Sequence, residues 1–142
     1  MHSPNAAERY SNVVAGWIEI GGRRLYVRSS WEANICAYLE FLKTHKHIIE
    51  WLYEPQVFEF HAIRSGTRLY CPDFKVINND GSDYFIEVKG YMDAKSKTKI
   101  SRMAKYYPEV KLDIIDSKRY KAIASKSGMI PNWGLLKDKK GK

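Results

Sequence analysis

Two carboxylates and an ammonium group interrupt apolar stretches near the middle of this chain. Asp73 belongs to the run Leu69–Phe74, while Glu87 and Lys89 belong to the run Phe85–Gly90. Both runs are typical of short strands, and a carboxylate buried in a strand is costly unless a partner offsets that cost. A divalent cation is one such partner. These residue types at this spacing therefore indicate a site for a hard cation beside an ammonium group.

The segment between the two runs predicts how they are arranged. Residues 78–82 read Asn-Asn-Asp-Gly-Ser, which is typical of a hairpin turn. The two strands should then be neighbours about 4.8 Å apart, so that Asp73 and Glu87 converge on one ion. Lys89 lies two residues beyond Glu87 and should leave the same face of its strand. A buried ion-pair network without a cation is the alternative interpretation of the same three residues.

Length and charge limit the class of protein. A chain of 142 residues is long enough for one domain with a real core. We expect an arm at 1–12, a single domain at 13–136 and a disordered basic tail at 137–142. The formal net charge of +8 is high for this length and indicates a polyanionic partner, most simply nucleic acid. The alternative is that the charge serves solubility alone.

Cysteine usage and hydropathy predict the compartment. Cys36 and Cys71 form no motif and are expected to be buried thiols in a reducing compartment. No signal-peptide pattern is visible, and no apolar run approaches the roughly 18 residues of a membrane span. We therefore expect an intracellular, cytoplasmic protein without membrane contact.

The N-terminal half predicts a hairpin followed by a helix. Strands at 16–20 and 23–27 flank Gly21-Gly22, a tight-turn pair. Ser29 or Ser30 then offers an N-cap for a helix with Glu32 in its first turn. Its apolar residues recur every three or four positions and are Trp31, Ile35, Tyr38, Leu39 and Leu42. Glu32 shares that side, although an acid in a first turn also has a purely structural explanation, the helix dipole.

Alternating helices and strands fill the rest of the chain. Strands are predicted at 48–55 and 56–60, bent at Pro55, and a turn is predicted at 64–67. Asp93 should cap a second helix that continues to about Tyr107, and a strand at 110–116 should join the same sheet in parallel. A third helix at 117–125 and a short anchoring segment at 130–133 complete the pattern.

The second and third helices carry many cations. After Asp93 no acid separates them on the second helix, which favours a phosphate-contacting surface over an ordinary solvated face. The residues that we expect to contact DNA are Lys95, Lys97, Lys99, Arg102, Lys105, Lys118 and Arg119.

The order of these elements and motifs resembles the PD-(D/E)XK nuclease superfamily, and within it phage-type endonuclease I, a Holliday-junction resolvase. The motifs that carry the likeness over residues 30 to 133 are Trp31-Glu32, Trp51–Glu54, Tyr70–Phe74, Phe85–Gly90, Tyr107–Val110 and Ile130–Trp133. The hairpin before the first helix is more similar to small relatives among phage and transposon-end nucleases. The resemblance implies an α/β, restriction-endonuclease-like fold, with a central mixed β-sheet flanked by helices.

The resemblance also implies a role for each candidate residue. Asp73 and Glu87, with the backbone carbonyl of Val88, would bind Mg²⁺ or Mn²⁺. Glu32 would support that site directly or through water, and Lys89 would orient or help deprotonate the attacking water. The expected protein is a metal-dependent endonuclease that cleaves four-way DNA junctions as a homodimer, in an infected host cell if it is phage-encoded.

Three other functions are compatible with the sequence. One is a nuclease of a recombination or transposition system that cleaves duplex or single-stranded DNA. Another is a basic nucleic-acid-binding protein without catalysis, against which the complete set of four candidate residues argues. The third is a structural protein that contains a buried ion-pair network.

Overall fold

The computed structural model describes residues 14–61, 63 and 68–136, and its contacts group into two compact units. One unit contains the described residues up to Phe41 together with those from Ser125 onward, and the other contains the described residues between Leu42 and Ala124. Both contribute to the span predicted as one domain at 13–136. The arm predicted at 1–12, the turn predicted at 64–67 and the tail predicted at 137–142 lie outside the described residues.

The first unit begins with the predicted hairpin. Strands β1 (Gly16–Ile20) and β2 (Arg23–Val27) pair antiparallel. Gly21 and Gly22 have φ values of 58° and 76°, and this left-handed pair makes the tight turn whose twist matches that of the strands. Alternate residues of β1 are buried, as expected of a strand with one face on a core.

Helix α1 (Ser30–Thr44) follows, and Ser29 caps it. The Ser29 hydroxyl accepts a hydrogen bond from Glu32 N at 3.1 Å, which satisfies one of the otherwise unpaired N–H groups of the first turn. Of the predicted stripe, Ile35 and Leu39 are buried, whereas Trp31, Tyr38 and Leu42 are half-buried. The buried face is wider than predicted because small residues also face the core, namely Ser30, Ala33, Asn34, Cys36 and Ala37.

The C-terminal segment belongs to the same unit. Ile130 is buried, and Gly134 N donates a hydrogen bond to the Asn34 side-chain oxygen at 2.8 Å. This contact joins residues 100 positions apart. The anchoring role predicted for the segment at 130–133 is consistent with these contacts.

The second unit is built on a four-stranded mixed sheet. Its strands, in the order β3-β6-β7-β8, are β3 (Ile48–Tyr53), β6 (Phe74–Asn78), β7 (Asp83–Val88) and β8 (Leu112–Ile115). The β6–β7 hairpin turns through residues 79–82, and β8 pairs with β7 in parallel. Both the hairpin and the parallel strand were predicted from the sequence.

The apolar run at 69–74 is not one strand, as the sequence pattern suggested. It divides into β5 (Leu69–Tyr70), which pairs with β4 (Phe58–Glu59), and the start of β6. Pro72 causes the break because it lacks the N–H group that a ladder position requires. The division places Asp73 between two sheets rather than inside one.

One face of the four-stranded sheet packs against helix α2 (Ala94–Tyr106). The core on this side contains Phe58, Phe60, Tyr70, Phe85 and Met103, and it joins the small sheet, β7 and α2. Asp93 caps α2 as predicted, accepting a hydrogen bond from Ser96 N at 2.8 Å. The helix ends at Tyr106, close to the predicted end.

Helix α3 (Ser117–Ala124) follows β8, and a single 3₁₀ turn occupies Ser127–Met129. Among the described residues the fold is therefore mixed α/β, with three helices and a hairpin before the first helix, which confirms the predicted fold class. None of these helices has the length and apolar character that a membrane crossing requires. Within the described residues neither cysteine forms a disulfide bond; Cys36 is buried as predicted, whereas Cys71 is only half-buried.

Candidate active site

Asp73 lies just before β6, and its carboxylate reaches the end of β7. Its Oδ2 accepts a hydrogen bond from Val88 N at 2.7 Å. Its own carbonyl oxygen accepts a hydrogen bond from Glu54 N at 2.8 Å. A backbone N–H group that donates to a carboxylate makes a charge-assisted bond, stronger than a neutral one. Asp73 is therefore fixed next to the strand that carries Glu87.

The β6–β7 hairpin brings Asp73 close to Glu87. Phe74, which follows Asp73, pairs with Ile86, which precedes Glu87. The bond from Val88 N also holds the Asp73 carboxylate beside the residue that follows Glu87. Glu87 shares its face of β7 with Phe85, two residues before it. Glu87 therefore belongs to the face that packs against α2, and Asp73 lies beside the end of the same strand.

Tyr70 connects the small sheet to this pair. Its hydroxyl donates a hydrogen bond to Glu87 Oε1 at 2.8 Å, and its side chain is buried in the aromatic core. Burial raises the pKa of Tyr70 far above its ordinary value, and the nearby carboxylates of Glu87 and Asp73 raise it further. Both carboxylates therefore lie close enough to one hydroxyl to act on it.

Lys89 follows β7 and lies near the start of α2. Its N–H group continues the sheet by donating to Ile115 O at 3.0 Å. The pKa of Asp93 is lowered first by its hydrogen bonds from Ser96 and also by the positive charges of Lys89 and Lys99. The positive charges of Lys89 and Lys99 therefore both act on the carboxylate that caps α2.

Lys99 of α2 reaches the ring of Tyr70. Its Nζ lies 5.7 Å from the centre of the Tyr70 ring, within the range of a cation–π interaction. Lys99 lies three residues after the buried Ser96 and four before the buried Met103, a spacing that places it on the inner side of the helix. The sequence suggested a DNA contact for this lysine, whereas the structure directs it to Tyr70.

Other cations of α2 line a separate groove. A cleft of about 450 Å³ is bordered by Lys97, Thr98, Ser101, Arg102, Lys105 and Tyr106 of the helix, together with Ile63. Three of the residues predicted to contact DNA therefore share one surface. Hydroxyl groups stand between the cations, as is common where side chains contact phosphate oxygens.

The remaining predicted DNA contacts lie elsewhere. Lys95 is exposed on the first turns of α2, and Lys118 is exposed on α3. Arg119 forms a two-pronged ion pair with Asp113, including an Nη2–Oδ2 distance of 3.0 Å, and it donates to Ile114 O at 2.9 Å. These bonds give Arg119 a structural role in joining α3 to β8.

Glu32 belongs to the other compact unit. Its carboxylate lies at the cap of α1, where it accepts a 3.4 Å hydrogen bond from the Ser29 hydroxyl and a longer one from Arg28 N. This arrangement resembles a capping box. It supports the structural explanation for Glu32, in which an acid in the first turn stabilises the N-terminus of the helix. The role of Glu32 at the cation site stays a prediction.

The donor set suits an ion that needs few protein ligands. In the part of the chain that the structure describes, no group of three or more His, Cys, Asp or Glu side chains could hold a metal ion. Asp73, Glu87 and the Val88 carbonyl would form a sparser set of oxygens. Mg²⁺ binds to such sets, because it keeps several waters and takes its other ligands from a phosphate.

Sequence reasoning missed Tyr70 as a partner of Glu87 and Lys99 as a neighbour of the Tyr70 ring. Tyr70 stands three residues before Asp73 in the motif that drew attention, but nothing in its spacing indicates a bond to a residue 17 positions away. A helical-wheel reading of α2 would have placed Lys99 with Ser96 and Met103, and that signal was available in the sequence.

Comparisons with protein-family models, with curated protein sequences and with solved structures give no significant match for this chain. The resemblance to PD-(D/E)XK nucleases therefore stays a prediction from the motif residues.

Proposed function

We propose that this protein is a metal-dependent DNA endonuclease with its active centre at Asp73, Glu87 and Lys89. The observation that carries the proposal is the hydrogen bond from Val88 N to the Asp73 carboxylate, which holds Asp73 beside the end of the strand that bears Glu87, followed in the chain by a lysine-rich helix. The two acids occur in the order that the nuclease pattern requires, with Asp73 just before β6 and Glu87 on β7. The positive charge of α2 supplies attraction for a polyanion along the groove that this helix borders.

Each residue has a distinct task in the proposed reaction. Asp73 and Glu87, with the Val88 carbonyl, hold a Mg²⁺ or Mn²⁺ ion. Such an ion, when bound, supplies a water of lowered pKa and neutralises charge on the phosphate. Lys89 would orient the attacking water as an ammonium donor or, as the neutral amine, accept the proton of that water, because it directly follows the strand that bears Glu87.

The substrate that we propose is branched DNA, in particular a four-way junction, cut by a homodimer. Symmetric cleavage of two strands about a branch requires two active centres related by a two-fold axis. The motif likeness to endonuclease I supports this choice. Cleavage of duplex or single-stranded DNA within a recombination or transposition system is the alternative that the N-terminal hairpin supports.

A cleavage assay on four substrates of related sequence tests the proposal: a four-way junction, a flap, a linear duplex and a single strand. Cleavage of the junction in Mn²⁺ or Mg²⁺, and its loss in a chelator, is the expected result. Cleavage of the duplex in preference to the junction would replace the resolvase assignment with the alternative nuclease. Absence of metal-dependent cleavage on all four substrates would refute the nuclease.

Lys89→Ala separates catalysis from binding in the same assay. This change removes the ammonium group that we propose acts on the attacking water, while the cations of the α2 groove remain. We expect cleavage to be abolished and junction binding to persist. Lys75→Ala is a suitable control, because Lys75 lies on the neighbouring strand and forms an ion pair with Asp83 at 3.5 Å.

A further inference from the structure

We propose that Tyr70 is a positioning residue, whose hydroxyl holds the Glu87 carboxylate in the orientation in which it binds a divalent cation. The inference rests on the proposed function, since it assigns Glu87 to a cation. It gives a role to Tyr70, which the sequence pattern left without one. The hydrogen bond to Glu87 Oε1 at 2.8 Å carries the proposal.

The ring of Tyr70 is held firmly enough to serve as a support. Its backbone pairs with Phe58 across the small sheet, and only 3% of the residue is exposed. Phe58, Phe85 and Met103 belong to the same core cluster. A side chain in a close-packed core keeps one rotamer, so the hydroxyl has a fixed position at the edge of the cluster.

In this hydrogen bond the Tyr70 hydroxyl is the donor and the Glu87 carboxylate is the acceptor. A phenol has one proton to donate, and a carboxylate only accepts. The hydroxyl carries its proton at neutral pH, because the ordinary pKa of a phenol is about 10. A protonated phenol aimed at one carboxylate oxygen restricts rotation of the Glu87 side chain. Outer partners of this kind fix the orientation of metal-binding carboxylates.

Lys99 contacts the Tyr70 ring and strengthens the hydrogen bond between Tyr70 and Glu87. Its ammonium lies 5.7 Å from the ring centre, and a cation over an aromatic face withdraws electron density from the ring. The hydroxyl of such a ring is a stronger donor. Lys99 therefore links α2 to the Glu87 carboxylate through Tyr70, which gives this lysine a task other than the DNA contact first expected of it.

Tyr70→Phe in the full chain removes the hydroxyl and leaves the ring in place. The measurement is titration calorimetry with Mn²⁺ in the absence of DNA, accompanied by the metal dependence of junction cleavage. Loss of an outer hydrogen-bond partner weakens metal binding about 10- to 100-fold. We expect at least a tenfold higher Mn²⁺ dissociation constant, and a similar increase in the Mn²⁺ concentration for half-maximal cleavage.

Tyr107→Phe is the matched control. The Tyr107 hydroxyl donates to Glu59 O at 2.6 Å, and its ring packs against the same aromatic cluster. The two variants lose the same atom from neighbouring places, but only one loses a bond to a carboxylate. Because phenylalanine fills the same space as the tyrosine ring, both variants are expected to fold, which circular dichroism checks.

The possible outcomes have separate meanings. Weaker Mn²⁺ binding in Tyr70→Phe with unchanged binding in Tyr107→Phe supports the positioning role. Equal Mn²⁺ affinity in Tyr70→Phe and the wild-type protein, both cutting junctions, overturns that role and leaves the nuclease intact. Equal weakening in both variants assigns the effect to packing and also overturns it. A wild-type protein that neither binds Mn²⁺ nor cleaves DNA overturns the nuclease and the positioning role together.

Discussion

Asp73→Asn is the sharpest perturbation of the proposed active centre, because it changes the charge and hardly changes the shape. The Asn side-chain oxygen can still accept the hydrogen bond that Val88 N now donates to Oδ2 at 2.7 Å. What disappears is the negative charge that we propose binds the cation. Local structure and catalysis should therefore respond very differently.

The expected loss of stability is small. A hydrogen bond to a charged group contributes about 1.5–3 kcal/mol, and a neutral one about 0.5–1.5 kcal/mol. The difference of about 1 kcal/mol corresponds to a decrease in Tm of roughly 3 °C for a chain of this length. Partial exposure of Asp73 reduces this figure further through solvent screening.

The expected loss of activity is large. Removing an outer partner of a metal site costs about 10- to 100-fold, so that loss of a direct ligand should reduce cleavage by at least about 100-fold. Binding to the junction should persist, since the change raises the net charge of the protein. The assays are junction cleavage in Mn²⁺, electrophoretic mobility shift in a chelator, and thermal unfolding.

Asp80→Asn provides the control, since it makes the same change of charge at the turn between β6 and β7. Asp80 accepts hydrogen bonds from the backbone and hydroxyl of Ser82 and lies at the end of the hairpin away from Glu87. Cleavage by this variant should equal that of the wild-type protein. Full cleavage by Asp73→Asn, or an equal loss in Asp80→Asn, would refute the assignment of the centre.

Three further results are expected. The double change Lys97→Gln and Arg102→Gln should reduce the slope of the logarithm of the DNA-binding constant against the logarithm of salt concentration by about 1.8, if each residue contacts one phosphate. Lys111→Gln, at an exposed lysine directly before β8, should leave this slope unchanged. Asp93→Ala should lower the free energy of unfolding at pH 7 by about 1 kcal/mol. The pKa of Asp93 is lowered in the folded protein. The charged carboxylate therefore stabilises the fold at pH values above the unfolded pKa of about 3.9, and this stabilisation is lost as the pH falls through the lower, folded pKa. Asp93→Asn, which caps the helix without charge, should show a smaller loss of stability in acid. Saturating Mn²⁺, at about 100 times its dissociation constant, should stabilise the protein by about 2.7 kcal/mol, and an unchanged Tm would favour the buried ion-pair network.

Local chemistry explains the parts of the fold that were predictable. Gly21-Gly22 and the turn at 79–82 each contain the residues that a tight turn requires, so both hairpins follow from neighbouring positions. Asp93 and Ser29 cap helices through bonds that span only three residues. The parallel pairing of β8 with β7 follows from the helix that connects them.

Longer-range features were not accessible in the same way. Apolar character continues through the run at 69–74, but Pro72 ends one strand, and the next begins in another sheet. The bond between Tyr70 and Glu87 depends on how two sheets meet, and the contact between Asn34 and Gly134 spans 100 residues. No local pattern contains that information, which is why Tyr70 had no predicted role.

Helix α2 contributes both to the groove that we propose binds DNA and to the support of the proposed cation site. Positions 97 and 99 are two residues apart, about 200° around a helix of 3.6 residues per turn. Lys99 can therefore face Tyr70 while Lys97 lines the groove. From Lys97 to Lys105 the helix rises about 12 Å, which matches roughly three nucleotides of one strand at 3.4 Å each. If a DNA strand binds along this groove, one rigid helix would position its phosphates relative to the Asp73 and Glu87 carboxylates.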